Sequence, residues 1–180
     1  MPPKRRDAAR NRERLLAAAR QVFAEQGHDV PLEEVAKAAE MSRTTIYRNF
    51  ATREELAAEV HEDNVARIER RAAELAGRDD GVVELVDFVL AMQAEHRSLT
   101  RILLAADVEW FARLAERTRA AFVPLVERAA AAGVVHAGIG VDDVMLAFSM
   151  AGGAFADHRD GHPEVGDRLR AMLHRALFAR

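Results

Sequence analysis

The side chains of this chain best suited to binding a partner are concentrated between residues 42 and 53. They combine hydroxyl, phenol and guanidinium groups: Ser42, Arg43, Thr44, Thr45, Tyr47, Arg48 and Arg53. Threonine hydroxyls can reach base edges, arginines bind guanine or phosphate, and a tyrosine O–H can donate to a phosphate oxygen. This combination is typical of a surface that reads double-stranded DNA, and we predict that these side chains bind it.

Two short helices must position these side chains. Apolar residues recur at helical spacing over residues 32–39, which predicts a first helix with Pro31 at its first position. Residues 40–41 form a turn, and Ser42 is a good N-cap for a second helix that extends through Phe50. Two helices joined by a short polar turn predict a helix-turn-helix.

The stretch from Gly27 to Leu56 resembles the N-terminal signature of TetR-type transcriptional regulators. The residues that carry the resemblance are Gly27, Leu32 to Ala36, Ser42, Thr45, Tyr47, Phe50, Arg53, Glu54 and Leu56. The resemblance implies that the second helix is the recognition helix, with Thr44, Thr45, Tyr47 and Arg48 on it. It also implies that Ser42 and Tyr47 bind phosphate and that Arg53 takes the family's usual lysine position.

Two residues depart from the family's pattern. Glu40 stands where the family commonly has glycine, and a left-handed backbone at a non-glycine residue costs about 1 kcal/mol. If the backbone at Glu40 is left-handed, the turn either bears this cost or is reshaped, and the sequence leaves both outcomes open. Pro31 stands where a serine or threonine often caps the helix and contacts phosphate, so we expect that contact to be lost.

The composition is that of a globular protein. The chain has 180 residues, 49% of them hydrophobic and five of them proline, so it is long enough to bury a core. It contains no cysteine, which excludes disulfides, thiolate nucleophiles and cysteine-bound zinc. No apolar run of signal-peptide or membrane-spanning length follows the basic start, so we expect a soluble, cytoplasmic protein.

Positive charge is concentrated at the amino-terminal end. The net charge of −3 argues by itself against a nucleic-acid binder, but residues 1–50 contain 10 Lys/Arg and 7 Asp/Glu, whereas residues 51–180 contain 16 and 22. The cations are densest at Lys4, Arg5, Arg6, Arg10, Arg12 and Arg14. We expect a basic arm that lies along a DNA groove. The alternative is a charged tail that only keeps the chain soluble.

Helical periodicity runs through almost the whole chain, so the predicted fold class is all-α. Outside the helix-turn-helix, the predicted helices span residues 7–26, 53–75, 82–96, 99–106, 108–132, 142–157 and 164–179. We divide the chain into a three-helix DNA-binding domain, residues 1–52, and a helical bundle domain, residues 53–180. By the resemblance, the second domain senses a ligand and dimerises.

The last two helices carry our candidates for a dimer interface. Gly152 and Gly153 lie inside a helix, where each costs about 1 kcal/mol relative to alanine, and this indicates close approach of another helix. The candidates are Gly152, Gly153, Leu169, Met172, Leu173 and Ala176. They would form a flat face that pairs with a second copy of the chain. The alternative is that this face closes the core of a single chain.

The resemblance implies that the second domain encloses a pocket for a small-molecule effector. Large apolar side chains and one histidine are the candidates for its lining: Phe88, Met92, His96, Trp110, Phe111, Met145 and Phe148. Such residues can fill irregular space or line a cavity. The alternative is that they are ordinary core residues.

We find no apparatus for catalysis in the sequence. His158 and His162 are four residues apart, but Gly161 and Pro163 interrupt the helix that would align them, so we interpret the segment as a polar turn. We predict no catalytic residue, no metal ligand and no cofactor. The predicted function is a homodimeric repressor that binds a palindromic operator and is released by an effector. The alternatives are a helical ligand-binding protein with a decayed DNA-binding head, and an all-helical enzyme.

Overall fold

The regular structure of the chain is helical. A computed structural model describes residues 3–27, 30–95, 108–157 and 163–179. Over these ranges the chain forms eight α-helices, with one isolated β-bridge between Val135 and Phe178. The helices are α1 Pro3–Gln26, α2 Leu32–Ala38, α3 Arg43–Asn49, α4 Arg53–Leu75, α5 Gly81–Glu95, α6 Val108–Ala131, α7 Val141–Asp157 and α8 Pro163–Leu177. The predicted all-α fold class is confirmed.

Most predicted helix bounds agree with the structure to within one or two residues. The exception is α1, which begins at Pro3 rather than at residue 7, because proline fits the first turn of a helix and does not interrupt it there. Pro31 is the N-cap of α2, with an extended ψ of 150°, and not its first helical residue as predicted. The predicted helix over residues 99–106 lies outside the described residues.

The described residues form two compact units, and the division falls inside α4 between Asp63 and Asn64. The first unit has a core of its own, in which Leu15, Phe23, Val35, Ile46 and Leu56 are completely buried. Helices of seven residues, the length of α2 and α3, are not stable alone in water. The two helices therefore depend on this core, to which each fully buried large apolar side chain contributes roughly 1.5–3 kcal/mol.

The second unit is built around α5, which packs against α6, α7 and α8. Its core includes Leu75, Val82, Leu85, Phe122 and Leu125, all of which are completely buried. The end of the chain is tied to the loop after α6, since the Ala179 N–H donates to the Val134 carbonyl at 2.8 Å. None of the described helices combines the length and apolarity that a bilayer crossing requires.

The turn between α2 and α3 is a regular helix-terminating motif. The Met41 N–H donates to the Ala36 carbonyl at 2.8 Å, and the Glu40 N–H donates to the Lys37 carbonyl at 3.0 Å. This is the pair of bonds of a Schellman motif, which requires a left-handed residue between them. Glu40 takes that conformation with a φ of +55°. The turn is therefore not reshaped, and glutamate adopts the conformation that glycine would adopt at lower cost.

Arg14 supports this turn from α1. Its Nη2 donates to the Ala39 carbonyl at 2.8 Å and also contacts Glu40 Oε2 at 3.4 Å. The guanidinium thus binds one of the last carbonyls of α2, which would otherwise have no partner within the helix. Arg14 thus binds the carbonyl that precedes Glu40, and the Schellman bonds engage the N–H groups of Glu40 and Met41. Because these groups are all bonded, the glutamate is compatible with a well-formed helix-turn-helix.

Candidate DNA-binding interface

Ser42 begins α3 as the sequence predicts. Its Oγ accepts a hydrogen bond from the Thr45 N–H at 3.2 Å and lies 2.8 Å from Thr45 Oγ1. This N-cap satisfies one of the backbone donors that a helix start leaves unpaired. The hydroxyls of Ser42 and Thr45 are also hydrogen-bonded to each other, and this bond fixes the position of both groups.

The polar side chains of α3 point outward. Ile46 is the one completely buried residue of the helix, and it fixes α3 on the core of the first unit. Arg43, Thr44, Tyr47 and Arg48 are exposed, with 43% of the Tyr47 surface accessible. Thr45 is half-buried beside Ser42. The face that the sequence predicts for contact with DNA is thus open, whereas the DNA contacts themselves stay a prediction.

Arg53 lies at the start of α4, which is closed by a capping box. The Glu55 N–H donates to Thr52 Oγ1 at 3.1 Å, and Glu55 Oε2 accepts from the Ala51 N–H at 2.7 Å. The return bond goes to the residue before the cap, one position earlier than in the usual box. Arg53 is half-buried and lies 3.4 Å from Glu54 Oε1. The pKa of Glu54 is lowered mainly by a hydrogen bond from the backbone N–H of Glu54 itself and to a smaller degree by Arg53.

Glu33 joins two of the predicted DNA-binding side chains. Its Oε1 accepts from Tyr47 Oη at 2.9 Å and lies 2.9 Å from Arg43 Nη2. Arg43 also lies over the Tyr47 ring, with 5.6 Å between the guanidinium carbon and the ring centroid. Hydrogen bonds from its own backbone N–H and then from Tyr47, followed by the charge of Arg43, lower the pKa of Glu33. Sequence reasoning missed Glu33, because only folding brings it beside a tyrosine fourteen residues away.

The predicted basic arm is only partly available to a partner. Arg12 pairs with Glu59 at 2.6 Å and lies over the Phe50 ring at 5.3 Å. Arg14 is bound to the turn, while Arg10 is exposed. The side chains of residues 4–6 lie outside the described part of the chain. Two of the six cations therefore stabilise the first unit, and an arm role for the others stays a prediction.

The dimer candidates divide into exposed and buried groups. Gly153, Met172 and Ala176 are exposed, Gly152 and Leu169 are half-buried, and Leu173 is buried in the core of its own unit. A Cβ atom at Gly153 would meet nothing within 4 Å, and one at Gly152 would lie 3.9 Å from Gln93 Nε2. No other described helix of the same chain thus needs these glycines for close approach. Sequence reasoning did not place Leu146 and Met150 among the dimer candidates, although these side chains are 58% and 55% exposed.

The effector candidates lie in or against the core of the second unit. Met92 and Phe148 are buried, Phe88 and Met145 pack against that core, and Trp110 and Phe111 are half-buried. His96 lies outside the described residues. Phe148 packs edge to face with Phe122, with 5.3 Å between the ring centroids. Four of the candidates thus contribute to the core of the second unit, and their role in a pocket stays a prediction.

Gln93 is a polar group among these apolar residues that the sequence did not single out. Its Nε2 donates to the Phe148 carbonyl at 3.2 Å, while its Oε1 is shielded from solvent and has no hydrogen-bond partner. A buried acceptor without a partner is unfavourable, and such a group is often satisfied by a bound molecule or water. Among the described residues no group of three or more acidic or histidine side chains could hold a metal ion. His158 and His162 lie outside those residues.

Fold and site together define an all-helical protein with an amino-terminal helix-turn-helix. Residues 15–60 match the family model of the bacterial regulatory proteins of the tetR family. No curated protein sequence is significantly similar to the chain.

Solved structures extend the similarity to the whole fold. A TetR transcription regulatory protein from Mycobacterium vanbaalenii is 26% identical with a TM-score of 0.76, and the match covers 98% of this chain and 100% of that one. A TetR transcriptional regulator from Streptomyces coelicolor is 25% identical with a TM-score of 0.70, over 91% and 96% of the two chains. The amino-terminal residues thus match the tetR family model, and the fold over almost the whole chain is similar to that of TetR-type transcriptional regulators.

Proposed function

We propose that the chain is a ligand-responsive repressor that binds a palindromic operator as a homodimer and is released by a small-molecule effector. The observation that carries the proposal is the open polar face of α3, held on the core by Ile46 with its hydroxyl and guanidinium groups outside. We assign DNA binding to residues 1–52, and sensing and dimerisation to residues 53–180. A cytoplasmic location and the lack of an enzymatic activity belong to this proposal.

Within the recognition helix we assign two kinds of contact. Ser42 and Tyr47, together with Arg53 and Arg48, bind phosphate and set the position of the helix on the duplex. Thr44 and Thr45 are near enough to the amino-terminal end of α3 to reach base edges, as the first residues of recognition helices do, whereas Arg43 joins the side chains that bind phosphate. Phosphate contacts contribute affinity for any sequence, and base contacts contribute discrimination.

The exposed apolar residues of α7 and α8 support a homodimer. Leu146, Met150 and Met172 are each more than half exposed, and Gly153 and Ala176 add small exposed residues on the same two helices. Exposed groups of large apolar side chains mark interaction surfaces. A dimer presents two recognition helices about 34–36 Å apart, which reads a palindrome with much higher affinity than one helix does.

A small-molecule effector is supported by the surroundings of Gln93. Its Oε1 is buried without a partner, and its Nε2 donates to the backbone carbonyl of Phe148, a residue of the apolar core. A polar group beside apolar side chains is the mixture that ligand sites use. A regulator of this fold from Saccharomonospora viridis, 16% identical with a TM-score of 0.64, is in complex with choline. For release, the effector must bind more tightly to the conformation that fits the operator poorly.

Binding of DNA by the purified chain tests the proposal. Genomic fragments retained by the protein are sequenced, and a duplex with the recovered site is titrated at several salt concentrations. We expect affinity that falls steeply with salt. Tyr47→Ala and Arg53→Ala should weaken binding to all duplexes, and loss of the Arg53 charge should also reduce the salt slope by about one, whereas Thr44→Ala should change which base is preferred.

The outcome also separates the alternatives. Absence of salt-dependent DNA binding would favour a helical ligand-binding protein with a decayed head, although the regular Schellman turn at Glu40 argues against decay. An activity abolished by His158→Ala or His162→Ala would favour an enzyme. Equal effects of the Tyr47 and Thr44 variants on every duplex would contradict the division between phosphate and base contacts.

A further inference from the structure

The carboxylate of Glu33 lies within the proposed DNA-binding surface, beside α3. Glu33 is in the first turn of α2, and its side chain is 35% exposed beside Arg43, which is 75% exposed. One oxygen of Glu33 accepts from Tyr47 Oη and pairs with Arg43 Nη2, at 2.9 Å in each case. Two side chains that we assign to DNA contact are therefore both directed towards one anionic oxygen of the protein.

A DNA phosphate offers the same chemistry as this carboxylate. Both are anionic oxygens that accept hydrogen bonds from phenol and guanidinium groups. Tyr47 has one O–H, so it cannot donate to Glu33 and to a phosphate at once. Arg43 can bond to both, but the carboxylate compensates its charge and opposes the approach of a second anion. Phosphate binding at this point thus requires exchange of the Glu33 contacts.

We propose that Glu33 is a specificity-determining residue, an inference that rests on the proposed DNA-binding function. Glu33 occupies the donors of Tyr47 and Arg43 and so lowers affinity for DNA of arbitrary sequence. Nonspecific binding comes almost entirely from phosphate contacts and counterion release, and it therefore bears the full cost of the exchange. At the operator, base contacts are added and offset that cost. Glu33 would in this way increase the ratio of specific to nonspecific affinity.

The chain offers a matched control for the charge of Glu33. Glu34 is the next residue of the same helix, and it pairs with Lys37 at 3.6 Å rather than with α3. Glu33→Gln and Glu34→Gln remove the same charge from neighbouring positions. A general change in the attraction of DNA appears in both variants. Only Glu33→Gln also weakens the contacts of Tyr47 and Arg43, because the neutral amide oxygen accepts weaker hydrogen bonds than the carboxylate and does not compensate the charge of Arg43.

The test is fluorescence anisotropy with a duplex of random sequence and a duplex selected by the protein. Relative to Glu34→Gln, we expect Glu33→Gln to bind the random duplex about five-fold more tightly, the upper range of an exposed ion pair. Its salt slope should steepen by roughly 0.9, the value for one further phosphate contact. The ratio of selected to random affinity should fall. Indistinguishable curves for the two variants would overturn the inference. If the parent protein still binds the selected duplex in that case, the proposed function stands.

A double-mutant cycle examines the link to Arg43. In the Glu33→Gln background, Arg43→Gln should reduce affinity for the random duplex more than it does in the parent protein, because the guanidinium is no longer compensated. Additive effects would show that Glu33 and Arg43 act independently and would contradict the inference.

An experiment without DNA tests the contact itself. Tyr47 is the only tyrosine of the chain, so a tyrosine label at the ring carbon that bears the hydroxyl gives one NMR signal. Glu33→Gln should shift this signal, and Glu34→Gln should leave it in place. An unshifted signal in Glu33→Gln would overturn the inference even if the protein binds DNA, and a shifted signal with no DNA binding would point to failure of the proposed function.

Discussion

Both compact units bury leucine, valine and phenylalanine, but the side chains that they leave outside are of opposite kinds. The first unit presents hydroxyl, phenol and guanidinium groups on α3. The second unit presents Leu146, Met150 and Met172, each more than half exposed, on α7 and α8. Polar donors suit a phosphate-lined groove and apolar side chains suit another protein surface. One core chemistry thus supports two different interaction surfaces.

The largest effect should follow from removal of the buried anchor of α3. Ile46→Ala leaves a cavity beneath a seven-residue helix, and we expect a loss of about 3 kcal/mol in the free energy of unfolding of the first unit. Urea denaturation followed by circular dichroism measures the loss, and DNA binding should disappear with it. The exposed neighbour variant Thr44→Ala serves as control and should unfold like the parent protein. Unchanged stability of Ile46→Ala would contradict the conclusion that α3 depends on the core of the first unit.

A charge introduced among the exposed apolar residues of α7 and α8 tests the surface of the second unit. Met150→Lys places an ammonium group on the exposed apolar face of α7, and burial of that charge in an interface is unfavourable. We expect a monomer by light scattering and about 100-fold weaker binding to a palindromic duplex, since linked binding is lost. Ala130→Lys, at an exposed position of α6, is the control. A stable dimer of Met150→Lys would place the interface elsewhere.

Acid should weaken the first unit through His61 in α4. Burial lowers the pKa of His61 from 6.5 to about 4, so between these values the unfolded chain binds a proton that the folded chain does not. Stability conferred by neutral His61 is therefore full above pH 6.5 and is lost as the pH falls towards 4. We expect a loss of roughly 2 kcal/mol over this window.

Thermal melting between pH 4 and pH 7 measures this loss against His61→Gln. The variant cannot take up the proton, so its stability should fall less over the same window. Parallel pH profiles for the two proteins would show that the pKa of His61 does not differ between the folded and the unfolded chain, and would contradict the prediction.

The smallest effect concerns the turn of the helix-turn-helix. Glu40 holds a φ of +55°, and glycine adopts this conformation without the steric cost of a Cβ atom. We expect Glu40→Gly to stabilise the protein by about 1 kcal/mol, measured as a shift of the urea midpoint, with DNA affinity unchanged. Glu40→Ala, which removes the contact with Arg14 but keeps the Cβ atom, is the control. Destabilisation by glycine would mean that the Arg14 contact outweighs the backbone strain.

Local patterns were sufficient to predict the elements that hold the recognition surface. Ser42 as an N-cap, Thr52 with Glu55 as a capping box, and Gly27 at the end of α1 each depend on residues within one turn of the chain. The inward position of Ile46 and the outward position of Thr44 follow from helical spacing alone. These features are readable because the interactions that produce them are short in sequence.

Contacts between distant residues were decided only by the tertiary structure. The pairing of Glu33 with Tyr47 and the bond of Arg14 to the Ala39 carbonyl join side chains on different helices. Likewise, α7 is apolar around most of its circumference, and which residues stay uncovered depends on where its neighbours pack. Leu146 and Met150 are therefore exposed while Phe148 is buried, because burial depends on the arrangement of all the helices and not on the period of one.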